Sequence, residues 1–181
     1  MNQLATADRY TAVSKTLHWV IALLAFTQLA MGKLFELDPD EPGNLFYWHT
    51  AFGLLVFGLM VVRLGWRVTH TVPGLPRNTP GWQQIAARAT HIAFYVLLIA
   101  LPGTGWLLSS VEGDAVTFFG WFTVPALPVP GGKATEDFLE ETHELLGNVL
   151  LFLAGIHVLA GLKHHYIDRD DVLRRMMPGA D

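Results

Sequence analysis

The stretch Thr142–Tyr166, THELLGNVLLFLAGIHVLAGLKHHY, decides the fold of this chain. Between Leu145 and Leu162 it has no Lys, Arg, Asp or Glu, and Leu, Ala, Val, Ile and Phe dominate. Such a run approaches the ~20 residues an α-helix needs to cross the hydrocarbon core of a bilayer. His143 opens it and His157 lies within it, and ionisable side chains in a span are costly and usually functional. The two are fourteen residues apart, close to four turns and ~21 Å at about 1.5 Å per residue. Both imidazoles therefore leave nearly the same face of one helix at two depths, the layout for two stacked cofactors.

Three more uncharged, apolar runs lie upstream: Thr16–Gly32, Pro42–Val62 and Ala89–Val111. With their flanks, the predicted spans cover about 16–34, 43–66, 89–111 and 143–166. The expectation is a single domain over residues 1–181, an all-α integral membrane four-helix bundle. Trp19, Trp48 and Trp106 fall near span ends, as an aromatic belt would place them. A fifth uncharged stretch, Ala115–Gly132, contains Pro125, Pro128 and Pro130 and cannot run as a straight helix. It reads as an interfacial lid, with Phe118, Phe119, Trp121 and Phe122 dipping into the headgroup zone, or as an ordinary apolar loop. The first apolar run has no small-residue cleavage site after it and reads as an uncleaved span.

Composition agrees with a membrane protein. Hydrophobic residues make up 51% and charged residues 15% of the 181 positions, below the roughly 25% charge usual for soluble domains. The chain has no cysteine. That excludes disulfides, thiolate metal sites, cysteine-held iron–sulfur clusters and thioether-attached haem, and leaves eight histidines as the metal ligands.

Charge sorts the loops. Arg9 and Lys15, then Arg63, Arg67, Arg77 and Arg88, then Lys163, Arg169, Arg174 and Arg175 fall on one side, ten of the twelve basic residues. The other side has only Lys33 and Lys133, among Glu36, Asp38, Asp40, Glu41, Glu112, Asp114, Glu136, Asp137, Glu140, Glu141 and Glu144. The positive-inside rule puts both termini in the cytoplasm and the acidic loops in the periplasm of a bacterial inner membrane.

Depth also pairs the histidines. His18 and His157 fall toward the cytoplasmic side, and His49 and His143 toward the periplasmic side. Each pair is expected to clamp one haem iron between neutral imidazoles, an arrangement with no open axial position that favours electron transfer. Gly53, Gly147 and Gly161 follow His49, His143 and His157 by four residues, and Ala22 follows His18. A small residue one turn on lets a porphyrin approach the backbone; close helix packing is the other reading. His91 has Tyr95 in that place and reads as a polar residue bonded to a propionate, a quinone or water. Arg63 and Lys15 are candidates for the propionates or for headgroup anchoring. His164 and His165 read either as a quinone site or as a wet basic helix end, and His70 as a solvated loop residue.

Over almost its whole length the chain resembles the bacterial cytochrome b561 family. The matching pieces are KTLHWV around His18, WHTAFGLLVFGLMVVRL from Trp48, THIAFYVLLIALPGTGWL from Thr90, the stretch from Thr142, and the closing LRRMMP. Their order and spacing carry the resemblance. It implies a membrane protein with two b-type haems, pairing the histidine of LHW with that of GIHVLAG and that of WHTAFG with that of THELLGN. Those positions are His18 with His157 and His49 with His143. It also implies superoxide:ubiquinone oxidoreductase-like activity, with the first histidine of KHHY, His164, as the catalytic position near the quinone. The family commonly has a tryptophan where this chain has Thr142. The implied partners are lipids, ubiquinone and a periplasmic redox donor, with no nucleic acid. The donor is superoxide, or else a separate dehydrogenase or periplasmic protein that this chain would wire to the quinone pool as a membrane anchor.

Overall fold

The computed structural model describes residues 9–37, 43–76 and 79–179. Asp38, Asp40, Glu41, Pro42 and Arg77, together with the side chain of Glu36, lie outside the described residues. Four helices dominate: α1 (Ala12–Leu37), α2 (Gly43–Thr69), α3 (Gly81–Glu112) and α4 (Lys133–Lys163). All four are long and apolar enough to cross a membrane. They form a membrane four-helix bundle in which each helix packs on the next in sequence, while α4 touches α1 only lightly.

The helices outrun the predicted spans. Helix α3 starts at Gly81 rather than Ala89, and α4 at Lys133 rather than His143. An uncharged-run criterion stops at the first charge, whereas Glu, Lys and Arg are good helix formers. Lys133 pairs with Glu136 and Asp137 at 2.8 Å each across the first turn of α4. Helix α3 contains Pro102, which removes one helical N–H, a defect membrane helices accommodate. It ends at Gly113, whose φ of 81° gives the left-handed C-terminal cap.

The all-α expectation needs one amendment. The segment expected as a lid is an antiparallel hairpin, β1 (Val116–Phe118) and β2 (Phe122–Val124), pairing Val116 with Val124 and Phe118 with Phe122. Its turn is closed by the Trp121 N–H on the Phe118 carbonyl at 2.9 Å. Phe119 sits at φ 50° and Gly120 at φ 75°. Glycine adopts that conformation freely, phenylalanine does not. Contacts of the Phe119 ring with Phe52 (5.3 Å between centroids) and Trp48 (6.2 Å) hold it there. Trp121 is left 82% exposed. The proline-rich return is clamped to α3: Trp106 Nε1 donates to the Pro125 carbonyl at 3.1 Å, and the Leu127 N–H to Ser110 Oγ at 3.0 Å.

At the opposite end, a π-helical turn (His164–Asp168) and a 3-10 turn (Arg174–Met176) fold the C-terminal segment back under the bundle. Trp19 Nε1 donates to the Met176 carbonyl at 2.7 Å, and Arg175 to the Gly74 carbonyl at 3.0 Å. Between the two ends, Ile21, Val56 and Met60 form a dry layer with Leu17, Leu24, Leu59, Tyr95, Leu98 and Ile99 around it.

Candidate functional site

Helix α4 presents one histidine to each end of the bundle, and each meets an imidazole from a helix α4 does not pack closely against. At the hairpin end, His143 faces His49 of α2, with ring centroids 6.1 Å apart. At the termini end, His157 faces His18 of α1 at 6.2 Å. A metal–nitrogen bond of about 2 Å on each side, plus roughly 1.1 Å from each ligating nitrogen to its ring centre, gives about 6.2 Å. Both pairs therefore have the span of two imidazoles sharing one metal ion.

The hairpin-end pair borders a cavity of about 580 Å³, within the range of small-molecule and cofactor sites. Gly53, Gly105 and Gly147 line it, together with Pro102 and the apolar side chains of Leu29 and Leu101. A Cβ on Gly147 would project into open space, while one on Gly53 would lie 3.2 Å from Gln28 Nε2. Two buried polar atoms here have no hydrogen-bond partner, His49 Nδ1 and Gln28 Oε1; each such group costs about 1–3 kcal/mol unless something satisfies it. Gly161, the third glycine singled out by spacing, faces Leu173 of the C-terminal segment at 3.9 Å.

Thr104 sets the protonation of His143. Its hydroxyl lies 2.8 Å from the Leu101 carbonyl and 3.1 Å from His143 Nδ1. A carbonyl only accepts, so the single hydroxyl proton goes to Leu101 and the oxygen accepts from Nδ1–H. The Nε2 lone pair of His143 is thereby left for a metal, the outer-shell arrangement that orients ligating imidazoles. Gly105 makes room for the ring, since a Cβ there would sit 3.1 Å from His143 Cε1. Thr104, Gly105 and Gln28 did not stand out in the sequence, although the LPGTGW run of α3 contains two of them. Losing the Thr104 hydroxyl should weaken metal-group retention at the hairpin end by about 10- to 100-fold. Haem titration of Thr104→Val, followed by absorbance, checks this; an unchanged affinity would remove Thr104 from the site.

The termini end is more crowded. His91 of α3 lies as near to His157 as His18 does, at 6.1 Å, and Phe94 packs on the same ring at 5.2 Å. Arg63 reaches His18 Nδ1 with both terminal nitrogens at 3.4 Å and lies 6.0 Å from the Tyr95 ring centre. His70 stacks on Trp66 at 3.6 Å, at the exposed end of α2. His164 is held by Asp170 beyond the end of α4, at 2.7 Å.

The family model described as prokaryotic cytochrome b561 matches residues 9–179. The chain belongs to the prokaryotic cytochrome b561 family. Similar members include cytochrome b561 homolog 2 of Escherichia coli (strain K12), 36% identical, with 95% of this chain and 93% of that protein covered. Cytochrome b561 homolog 1 of the same organism is 32% identical over 94% of this chain and 98% of that protein. The probable superoxide oxidase CybB of Yersinia pestis is 31% identical over 94% of this chain and 96% of that protein. As a member of that family the chain is a multi-pass bacterial membrane protein of electron transfer. The family implies b-type haem, and the facing imidazoles, the glycine-lined cavity and the unpartnered His49 nitrogen fit such a group.

Proposed function

We propose that this cytochrome b561 holds two b-type haems, one between His49 and His143 and one between His18 and His157, and passes electrons from a periplasmic donor to ubiquinone. The single observation that carries the reading is the pair of imidazole couples, 6.1 and 6.2 Å across, at opposite ends of α4. When bound, haem supplies one-electron transfer without bond making. The chain's own residues do the rest. Thr104 fixes the tautomer of His143, the glycines clear the cavity, and the Ile21–Val56–Met60 layer keeps water out between the two levels. Arg63 can only donate, so it opposes iron at His18 Nε2, which requires a proton on Nδ1. If His18 were to hold the group through Nε2, Arg63, which now reaches Nδ1, would be the residue placed to meet an anionic propionate. Gly161, one turn after His157, is assigned by its spacing to the termini-end (inner) site, although Leu173 is the neighbour a Cβ there would meet. Both termini lie in the cytoplasm, on the strength of the basic loops, and His164 is the residue offered to the quinone.

Two donors fit, and the cavity mouth favours one of them. Glu112, Glu140 and Glu144 line it, alongside Lys33. An acidic mouth slows an anion and attracts a basic protein. Superoxide, the substrate in the name of the Yersinia relative, is therefore expected to reduce the haem slowly at low salt. Its rate should rise about two- to fivefold as ionic strength climbs to roughly 0.2 M and the charge is screened. Stopped-flow reduction of the oxidised protein measures this. A superoxide rate that instead falls with salt removes the acidic mouth as a barrier. No reduction at any salt transfers the function to a basic redox partner, with this chain as its membrane anchor.

A further inference from the structure

The end of α4 contains an arrangement that the electron path does not use. His164 follows His157 by seven residues, two helical turns on the same face and ~10 Å further toward the termini end. At His164 the helix gives way to a π-helical turn, and Arg169 at φ 55° directs the chain back. The N–H groups of Arg169 and Asp170 both reach the His164 carbonyl, the latter at 3.1 Å. This return brings Asp170 Oδ2 to 2.7 Å from His164 Nδ1. The other oxygen, Oδ1, accepts the Val172 N–H at 3.0 Å, so the carboxylate is fixed at both ends. Both side chains are mostly covered, at 16% and 19% exposure.

The remaining charges around the ring point to Asp170 as its counterion. Asp168 comes within 3.4 Å of His164 Nδ1. Its charge is met by Lys163, whose Nζ lies 2.8 Å from Oδ1. His165 leans on Tyr166 instead, with centroids 4.7 Å apart. A carboxylate on Nδ1 fixes which nitrogen carries the proton and stabilises the imidazolium. Nε2 is then the nitrogen left for a ligand.

We propose that Asp170 is a positioning residue that holds His164 as the proton donor to the reduced quinone. The inference rests on the quinone being bound at His164, as given under the proposed function. The reaction balances as follows. The quinone takes two electrons, one at a time, from the inner b-type haem, and two protons. The first proton leaves His164 Nε2, the imidazolium becoming neutral imidazole with Nδ1–H still on Asp170. Cytoplasmic water reprotonates His164 for the second. Asp170 itself keeps its charge throughout.

The test is reoxidation of the pre-reduced, haem-loaded protein by a short-chain ubiquinone, followed by stopped-flow at the haem band from pH 5 to 9. Wild type is expected to lose rate as pH rises and proton delivery to the quinone falls. Asp170→Asn keeps an acceptor on Nδ1 but removes the charge. Its alkaline fall should set in at lower pH than in wild type, with roughly tenfold slower reoxidation at neutral pH and a near wild-type rate at pH 5. His164→Gln should be slow throughout, with that fall gone. A uniform fall across pH in Asp170→Asn, with haem content intact, would mean a structural role and overturns the proposal. So does an unchanged profile in that variant while His164→Gln is slow. Wild-type kinetics in His164→Gln would instead remove the quinone from this end of α4 and the proposal with it.

Discussion

Replacing His143 by alanine is expected to leave a folded protein with half its haem. The argument runs through α4, which offers one imidazole to each end. The hairpin-end couple of His49 and His143 shares no side chain with the termini-end couple of His18 and His157. The Ile21–Val56–Met60 layer lies between them. If the two couples hold haem as proposed, losing one imidazole would leave that group a single protein ligand beside a cavity of ~580 Å³. The extracted haem-to-protein ratio should fall from two to one, and the reduced α-band to about half, while the helical signal in circular dichroism stays. His18→Ala should give the complementary result. His91→Ala should retain both haems, although the ring of His91 stands as near to His157 as that of His18 does. Loss of the inner haem in His91→Ala, with retention in His18→Ala, would reassign that ligand to α3. Loss of both haems in His143→Ala would end the two-couple reading.

Gly105→Val should empty the hairpin-end site without touching a ligand. An added Cβ at Gly105 would stand 3.1 Å from His143 Cε1 and 3.4 Å from Nδ1. The neighbour that must give way is a ring whose Nδ1 is also held by Thr104. Valine adds two further methyl groups with a restricted χ1, so a shift of a few tenths of an ångström does not relieve the clash. The imidazole leaves its alignment with His49, and the expected outcome is the same one-haem spectrum as His143→Ala. Gly58→Val serves as the control, because a Cβ there meets nothing within 4 Å. Two haems in Gly105→Val would show that α3 and α4 separate easily at this level and that Gly105 does not set the ring.

The sequence made the spans and the matched depths legible for one reason: both depend on distance along a single helix. Apolar runs mark depth, and fourteen residues between His143 and His157 convert directly into turns. What required the structure is lateral. That α3 brings His91 beside His157, or Thr104 and Gly105 beside His143, depends on how helices distant in sequence are rotated about their axes. No periodicity within α3 reports that. The helix ends were missed because charge marks the membrane boundary rather than the end of hydrogen bonding, so α4 starts at Lys133, twelve residues before its apolar run. The hairpin was missed because the first central position of its turn, ahead of Gly120, is Phe119, a residue that rarely adopts positive φ. The wedge of that ring between Trp48 and Phe52 is a tertiary contact with no local signature.

The shared helix makes α4 a ruler. Deleting or inserting one residue between His143 and His157 would swing one of them by about 100° and shift it by about 1.5 Å relative to the other. Under the proposed ligand set, one couple would then lose its alignment to keep the other. Point changes on the lipid-facing side of that segment, such as at Phe152 or Leu159, which are exposed, carry no such cost. Substitutions on that face are therefore expected to be tolerated where a single insertion or deletion is not, because only the latter changes the fourteen-residue spacing.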